Sequence, residues 1–256
     1  MQATVTAPSL RPSLALFGIE PWRAALEYVS HKLVVDDVQP TGDGHPVIIF
    51  PGLGTDGSTV APLRKYCSSL GYAAMDWGLG RNTGPSGKLD DWLDHLATHV
   101  TSLLGDDEQG ATLIGWSLGG LYARELGRLM PHRVRQVISI GTPFNADADH
   151  TNVGWLYRLL NGTRANIDSA LATRLRTPPP VPTTSIYSRS DGIVAWQTCC
   201  HADGTHATDI EVVGSHVGLG WNPAVLRVVR QLLAAFTDQQ QARAVPRAKA
   251  QRQPRH

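Results

Sequence analysis

The 256-residue chain is 42% hydrophobic and 18% charged, a balance that suits one large globular domain and excludes a low-hydropathy disordered chain. Its formal charge of +1 conceals a basic tail: Arg243, Arg247, Lys249, Arg252 and Arg255 leave 18 basic against 22 acidic residues elsewhere, a body of about −4. That body gives no electrostatic footprint for a nucleic-acid partner.

Cys67, Cys199 and Cys200 supply no disulfide framework, which fits a reducing, cytoplasmic setting. The N-terminus lacks a basic leader followed by a long apolar run, so no signal peptide is expected. No stretch approaches the ~18 apolar residues of a membrane-spanning helix.

Residues 1–45 read as a loose arm and one helix. That helix is expected over Pro21–Lys32, with Pro at its first turn and Trp22, Ala25, Leu26 and Val29 as its core face. Val47–Phe50 is an uninterrupted apolar run, the mark of a strand buried on both faces. It ends in Pro51-Gly52-Leu53-Gly54-Thr55-Asp56-Gly57-Ser58, before a helix expected to reach Leu70.

That loop has two readings. Gly52-x-Gly54-x-x-Gly57, with Asp76 at the end of the next strand (Tyr72–Trp77), has dinucleotide-binding spacing. Small residues after a strand also let backbone N–H groups point at a reacting carbonyl. Only the second reading accounts for the residues further along the chain.

A turn-rich stretch over 78–88 is expected to cross the rim of the site. Leu89–Leu104 has helical spacing, with Trp92, Leu93, Leu96, Val100 and Leu103 on one face. His95 and His99 lie one turn apart there, but no third ligand is near in sequence.

The centre of the chain is Ala111-Thr112-Leu113-Ile114-Gly115-Trp116-Ser117-Leu118-Gly119-Gly120-Leu121. It reads as a strand, a turn of small residues with a serine at its apex, and a helix to Leu129. Glycines around the serine remove the Cβ atoms that would collide in so tight a reversal. The helix N-terminus beneath offers free N–H groups to negative charge.

Val134–Ile140 is a further buried strand, ending in Gly141-Thr142-Pro143-Phe144. Between about 145 and 180 the pattern changes, with short helices expected around Trp155–Leu160 and Ile167–Leu175. This segment reads as a cap or lid, or else as a decorated crossover. Strands at Thr183–Tyr187 and Asp209–Val213 follow, then a helix over Pro223–Phe236. Residues 237–256 are expected to be a disordered tail.

Ser117, Asp191 and His216 each follow a strand end, where the working residues of an open α/β sheet gather. A serine hydroxyl needs an imidazole to take its proton, and the imidazole needs a carboxylate to fix its tautomer. Cys199, Cys200, His201 and His206 crowd together but match no four-ligand zinc pattern, so no metal is expected.

With Pro51-Gly52-Leu53-Gly54, Gly115-Trp116-Ser117-Leu118-Gly119-Gly120, Gly141-Thr142-Pro143, Asp191-Gly192-Ile193-Val194 and Gly214-Ser215-His216, the chain resembles the α/β-hydrolase superfamily in its serine lipase and carboxylesterase branch. The resemblance covers about 46–236. It implies a mostly parallel sheet with helices on both faces, a nucleophile elbow at Ser117, and an oxyanion hole from the backbone N–H groups of Leu53 and Leu118. Pro51 and Trp116 stand where many relatives carry histidine; the first leaves the donor N–H groups in place, and only the second weakens a specifically lipase-like reading.

The expected activity is hydrolysis of small-molecule or lipid-like carboxylic esters without a cofactor, with transient contact to a lipid surface. Trp116, Trp155, Leu156 and Leu219 are the candidate pocket residues, core packing being the competing account of them. Acyl transfer with the same triad and a non-catalytic binding protein are the other functions considered; cofactor binding at Gly52–Gly57 belongs to the dinucleotide reading.

Overall fold

The structure, a computed structural model, describes residues 12–33, 42–106, 109–145, 169–202 and 205–250. In chain order its elements are α1 (Leu14–Leu33), β1 (Pro46–Phe50), α2 (Ala61–Ser69), β2 (Ala73–Asp76), α3 (Leu89–Leu104) and β3 (Ala111–Trp116). They continue with α4 (Leu118–Leu129), β4 (Val134–Ile140), α5 (Ser169–Arg176), β5 (Thr183–Tyr187), β6 (Thr208–Glu211) and α6 (Pro223–Ala250).

The six strands form one sheet in the order β2-β1-β3-β4-β5-β6, and every neighbouring pair is parallel. Side chains alternate across it, so the central strands β1, β3 and β4 each feed two cores. Ile48, Phe50, Leu113 and Val137 pack with α3, α4 and α5 on one face. Val47, Ile49, Ile114, Ile138 and Ile140 pack with α2 and α6 on the other. Burial on both faces is why β1, β3 and β4 are nearly continuous apolar runs rather than alternating ones.

The chain leaves β1 towards β2 at one edge, then returns to place β3 on the other side of β1. This reversal opens a crevice beyond the carboxyl ends of β1 and β3. The loop beginning at Pro51 and the turn at Ser117 border it directly.

Two elements differ from the sequence expectation. Helix α1 begins at Leu14, not Pro21, and carries Pro21 in its interior. Ser13 starts it: the Ala15 N–H donates to Ser13 Oγ at 3.2 Å and the Phe17 N–H to the Ser13 carbonyl at 3.0 Å. Interior proline costs a helix about 3 kcal/mol, which tertiary contacts of α1 described below offset. The orientation is also inverted, since Trp22, Leu26 and Val29 are 76%, 68% and 55% exposed. Glu20, Ala24 and Glu27 face inward instead.

Helix α6 runs to Ala250, well past Phe236 and into the stretch expected to be disordered. Ala, Gln and Arg dominate there, and all three are good helix formers. Trp155, Leu156 and most of the expected cap lie outside the described residues.

The turn at the head of α4 imposes the tightest packing. A Cβ on Gly115 would lie 2.2 Å from the Gly119 carbonyl oxygen, and one on Gly119 would lie 2.3 Å from the Phe50 carbonyl oxygen. These obstacles are backbone, so no rotamer change relieves them. Gly119→Ala is expected to push α4 off β1 and to destabilise the protein by about 3 kcal/mol, measurable as a lowered urea midpoint; an unchanged midpoint would contradict this packing.

Candidate active site

Ser117 is the one non-glycine residue with positive φ among the described residues, at φ 54° and ψ −119°. The strained turn lifts its hydroxyl away from the strand. Two bonds fix it: the Ser117 N–H donates to the Ile140 carbonyl at 2.8 Å, and Thr142 Oγ1 donates to the Ser117 carbonyl at 3.0 Å. The Gly141-Thr142-Pro143 segment beyond β4 therefore buttresses the serine turn.

His216 Nε2 lies 3.1 Å from Ser117 Oγ, and His216 Nδ1 lies 2.6 Å from Asp191 Oδ2. With Nδ1–H donated to the carboxylate, Nε2 turns its lone pair to the hydroxyl. The other Asp191 oxygen, Oδ1, accepts the N–H groups of Ile193 and Val194 at 2.8 and 2.7 Å. All three side chains are buried. Burial pulls the His216 pKa down, but the charge and hydrogen bond of Asp191, helped by the Glu20 charge, prevail and raise it. The structure thus joins three residues separated by 99 and 25 positions.

The loop after β1 is held by Asn82, which is fully buried. Asn82 Nδ2 donates to the Pro51 carbonyl at 2.8 Å, the Gly54 N–H donates to the Asn82 carbonyl at 2.7 Å, and the Asn82 N–H donates to the Thr55 carbonyl at 2.7 Å. The N–H groups of Leu53 and Leu118 have no hydrogen-bond partner among the described residues. They are available to an oxygen ligand.

Asp76 fills the space beside Gly57, where a Cβ would lie 2.5 Å from its Oδ2, and it accepts the Gly78 N–H at 2.9 Å. The Asp76 carboxylate and the Gly54 N–H, two groups of the dinucleotide spacing, thus each have a partner in the stretch after β2, Gly78 and Asn82.

Of the candidate pocket residues, Trp116 and Leu219 are buried among the core side chains on the α2 and α6 face, as the core-packing account has it. Leu219 is fully buried. Trp116 donates its indole N–H to the His216 carbonyl at 3.1 Å, bracing the histidine loop from beneath. His99 Nε2 pairs with the Trp77 carbonyl at 2.8 Å. Cys199 is buried, and burial together with the Asp209 charge pushes the Cys200 thiol up to about 12. Among the described residues no group of three or more His, Cys, Asp or Glu could hold a metal, and no described helix is long and apolar enough to cross a membrane.

Sequence reasoning missed three features: Asn82, the inward acids of α1, and a chain that runs from buried Arg124 through His201 to exposed Asp209. Arg124 Nη1 donates to His201 Nε2 at 2.8 Å, and His201 Nδ1 meets Asp209 Oδ1 at 2.6 Å. Burial pushes the Arg124 pKa down to about 9. Only the acids had a signal, since Glu20 and Glu27 are two helical turns apart on one face.

A model of the alpha/beta hydrolase family matches residues 47–256. The chain belongs to that family. Among curated relatives, the chain is 30% identical over 106 residues to a pimeloyl-(acyl-carrier protein) methyl ester esterase of Shewanella woodyi, covering 41% of the chain and 39% of the relative. It is 38% identical over 82 residues to a protein of the same name from Aromatoleum aromaticum, covering 31% and 29%. The chain therefore spans less than half the length of these relatives. Aspergillus fumigatus lipase B has the same fold at TM-score 0.57 and 18% identity, over 78% of this chain and 55% of that one. So does the monoacylglycerol lipase of Paleococcus ferrophilus, at 0.52 and 14%, over 75% and 94%.

The His216 ring should titrate above 6.5 in the native protein, and Asp191→Asn should lower its pKa by removing the strongest influence that favours the cation. NMR titration reads this directly, and an unchanged value in the variant would contradict the coupling.

Proposed function

We propose that this hydrolase cleaves carboxylic esters through an acyl-enzyme on Ser117. The observation that carries the proposal is the unbroken chain Ser117 Oγ to His216 Nε2 at 3.1 Å and His216 Nδ1 to Asp191 Oδ2 at 2.6 Å, set on the strained turn. Two unpartnered N–H groups, those of Leu53 and Leu118, support it. The named esterases that match part of the chain favour acyl esters as the substrate class.

In this reading Ser117 Oγ attacks the ester carbonyl carbon while its proton passes to His216 Nε2. Negative charge moves onto the carbonyl oxygen, where the Leu53 and Leu118 N–H groups and the N-terminus of α4 receive it. Collapse breaks the bond to the alcohol, and His216 returns the proton to the departing oxygen. Water then attacks the acyl-enzyme, giving up its proton to His216, and the carboxylic acid leaves with Ser117 restored. Asp191 keeps Nδ1 protonated and stabilises the transient imidazolium.

The direct test is steady-state hydrolysis of p-nitrophenyl esters of graded chain length. Native protein is expected to turn over, and Ser117→Ala to lose kcat by a factor on the order of 10⁴ to 10⁶. The base must be neutral, so kcat/KM falls on the acid side with a limb above pH 6.5. An active alanine variant, or a native protein inert to every ester, would contradict the proposal.

A further inference from the structure

Helix α1 precedes the first strand and contributes none of the three residues assigned to the chemistry. Its inward face nevertheless meets both loops that carry the acid and the base. Glu20 Oε1 accepts the Gly192 N–H at 2.6 Å and the His216 N–H at 3.1 Å. Its second oxygen, Oε2, receives the Val217 N–H at 3.4 Å. One buried carboxylate thus links the residue after Asp191 to His216 itself.

Two turns further along α1, Glu27 accepts the Ser215 N–H at 2.8 Å and the Ser215 hydroxyl at 3.2 Å. The three successive N–H groups of 215–217, at the start of the short helical turn Gly218–Gly220, would otherwise be left without acceptors. Acidic side chains fill that need, as anions do at a helix start.

The helix is anchored for this task. Arg23 donates to the Ser190 carbonyl and, at 2.8 Å, to Ser190 Oγ. Trp221 Nε1 donates to the Ala24 carbonyl at 3.1 Å. These contacts also account for a helix whose large apolar side chains face outward. Its polar face is the one with bonds to make.

We propose that Glu20 is a positioning residue for the ester hydrolysis proposed above: its carboxylate ties the Asp191 loop to the His216 loop and fixes their register over Ser117. The inference rests on that functional reading for its kinetic consequence alone. Shifting either loop lengthens the 2.6 Å contact between Asp191 and His216, and a misplacement of ~1 Å in such a constellation costs about a hundredfold in rate. Among the described residues the His216 ring meets Asp191, and the Glu20 carboxylate meets Arg23, whose Nη1 lies 3.9 Å from Glu20 Oε1; Glu27 binds the neighbouring Ser215. The Glu20 charge itself favours the His216 cation.

The test compares native protein with Glu20→Gln, which keeps an oxygen acceptor and removes the charge, and with Glu20→Ala, which removes both. The expected kcat falls about tenfold in Glu20→Gln and about a hundredfold in Glu20→Ala, with KM within about twofold. The acid limb of kcat/KM moves to lower pH in both. The same shift is read without turnover by NMR titration of the His216 ring, identified as the resonance missing from His216→Gln.

A kcat within twofold of native in Glu20→Ala, or a ring pKa unmoved in both variants, overturns the inference. So does a change confined to KM. A native protein inert to every ester and to fluorophosphonate fails the functional reading instead, and the ring titration then still decides whether Glu20 governs His216.

Discussion

The structure depends on how closely α4 can approach β1 and β3. Three glycines in six residues, Gly115, Gly119 and Gly120, let the helix start against bare backbone, and the cost is concentrated on Ser117 at φ 54°. That strain persists because its surroundings over-determine it: the Ile140 carbonyl, Thr142 and the Phe50 backbone all press on the turn. The same approach brings the Leu118 N–H beside the loop after β1, so the nucleophile candidate and the oxyanion candidates come from one packing event.

Around this rigid centre the remaining groups arrive on loops. Asp191 and His216 follow β5 and β6, at the far side of the sheet, and neither residue lies in a strand or a helix that would hold it. They are tied to each other by Ser188 and Ser190, whose hydroxyls donate to the Gly214 carbonyl at 2.8 and 3.2 Å. From below Trp116 holds the His216 carbonyl, and from outside α1 holds the backbone N–H groups. The histidine is therefore fixed from three directions, as the role of base proposed for it requires.

Much of this was legible because it rests on local rules. Buried parallel strands declare themselves as apolar runs, and five of the six lie within two residues of their expected bounds at both ends. The candidate triad rests on three strand ends together with the glycine-flanked serine turn and the groups a serine nucleophile needs. Helix α1 turns the other way from its pattern: Trp22, Leu26 and Val29 have core spacing, while the bonds that turn Glu20 and Glu27 inward reach residues more than 170 positions away. No local pattern marks a backbone N–H that lacks an acceptor. Trp116 and Leu219 fit a pocket and a core equally in the sequence, because an apolar side chain carries no mark of which it lines; the structure buries both. The extension of α6 was obscured because a polar stretch of Ala, Gln and Arg satisfies the composition of a disordered tail and the propensities of a helix alike.

The most direct measurement is peptide mapping by mass spectrometry after reaction with a fluorophosphonate, which traps a serine activated in this way as a covalent adduct. The account predicts one adduct per chain, on the peptide carrying Ser117, formed in the native protein and abolished in His216→Gln although the serine remains. An adduct on another residue, or labelling of Ser117 that survives loss of His216, would contradict it.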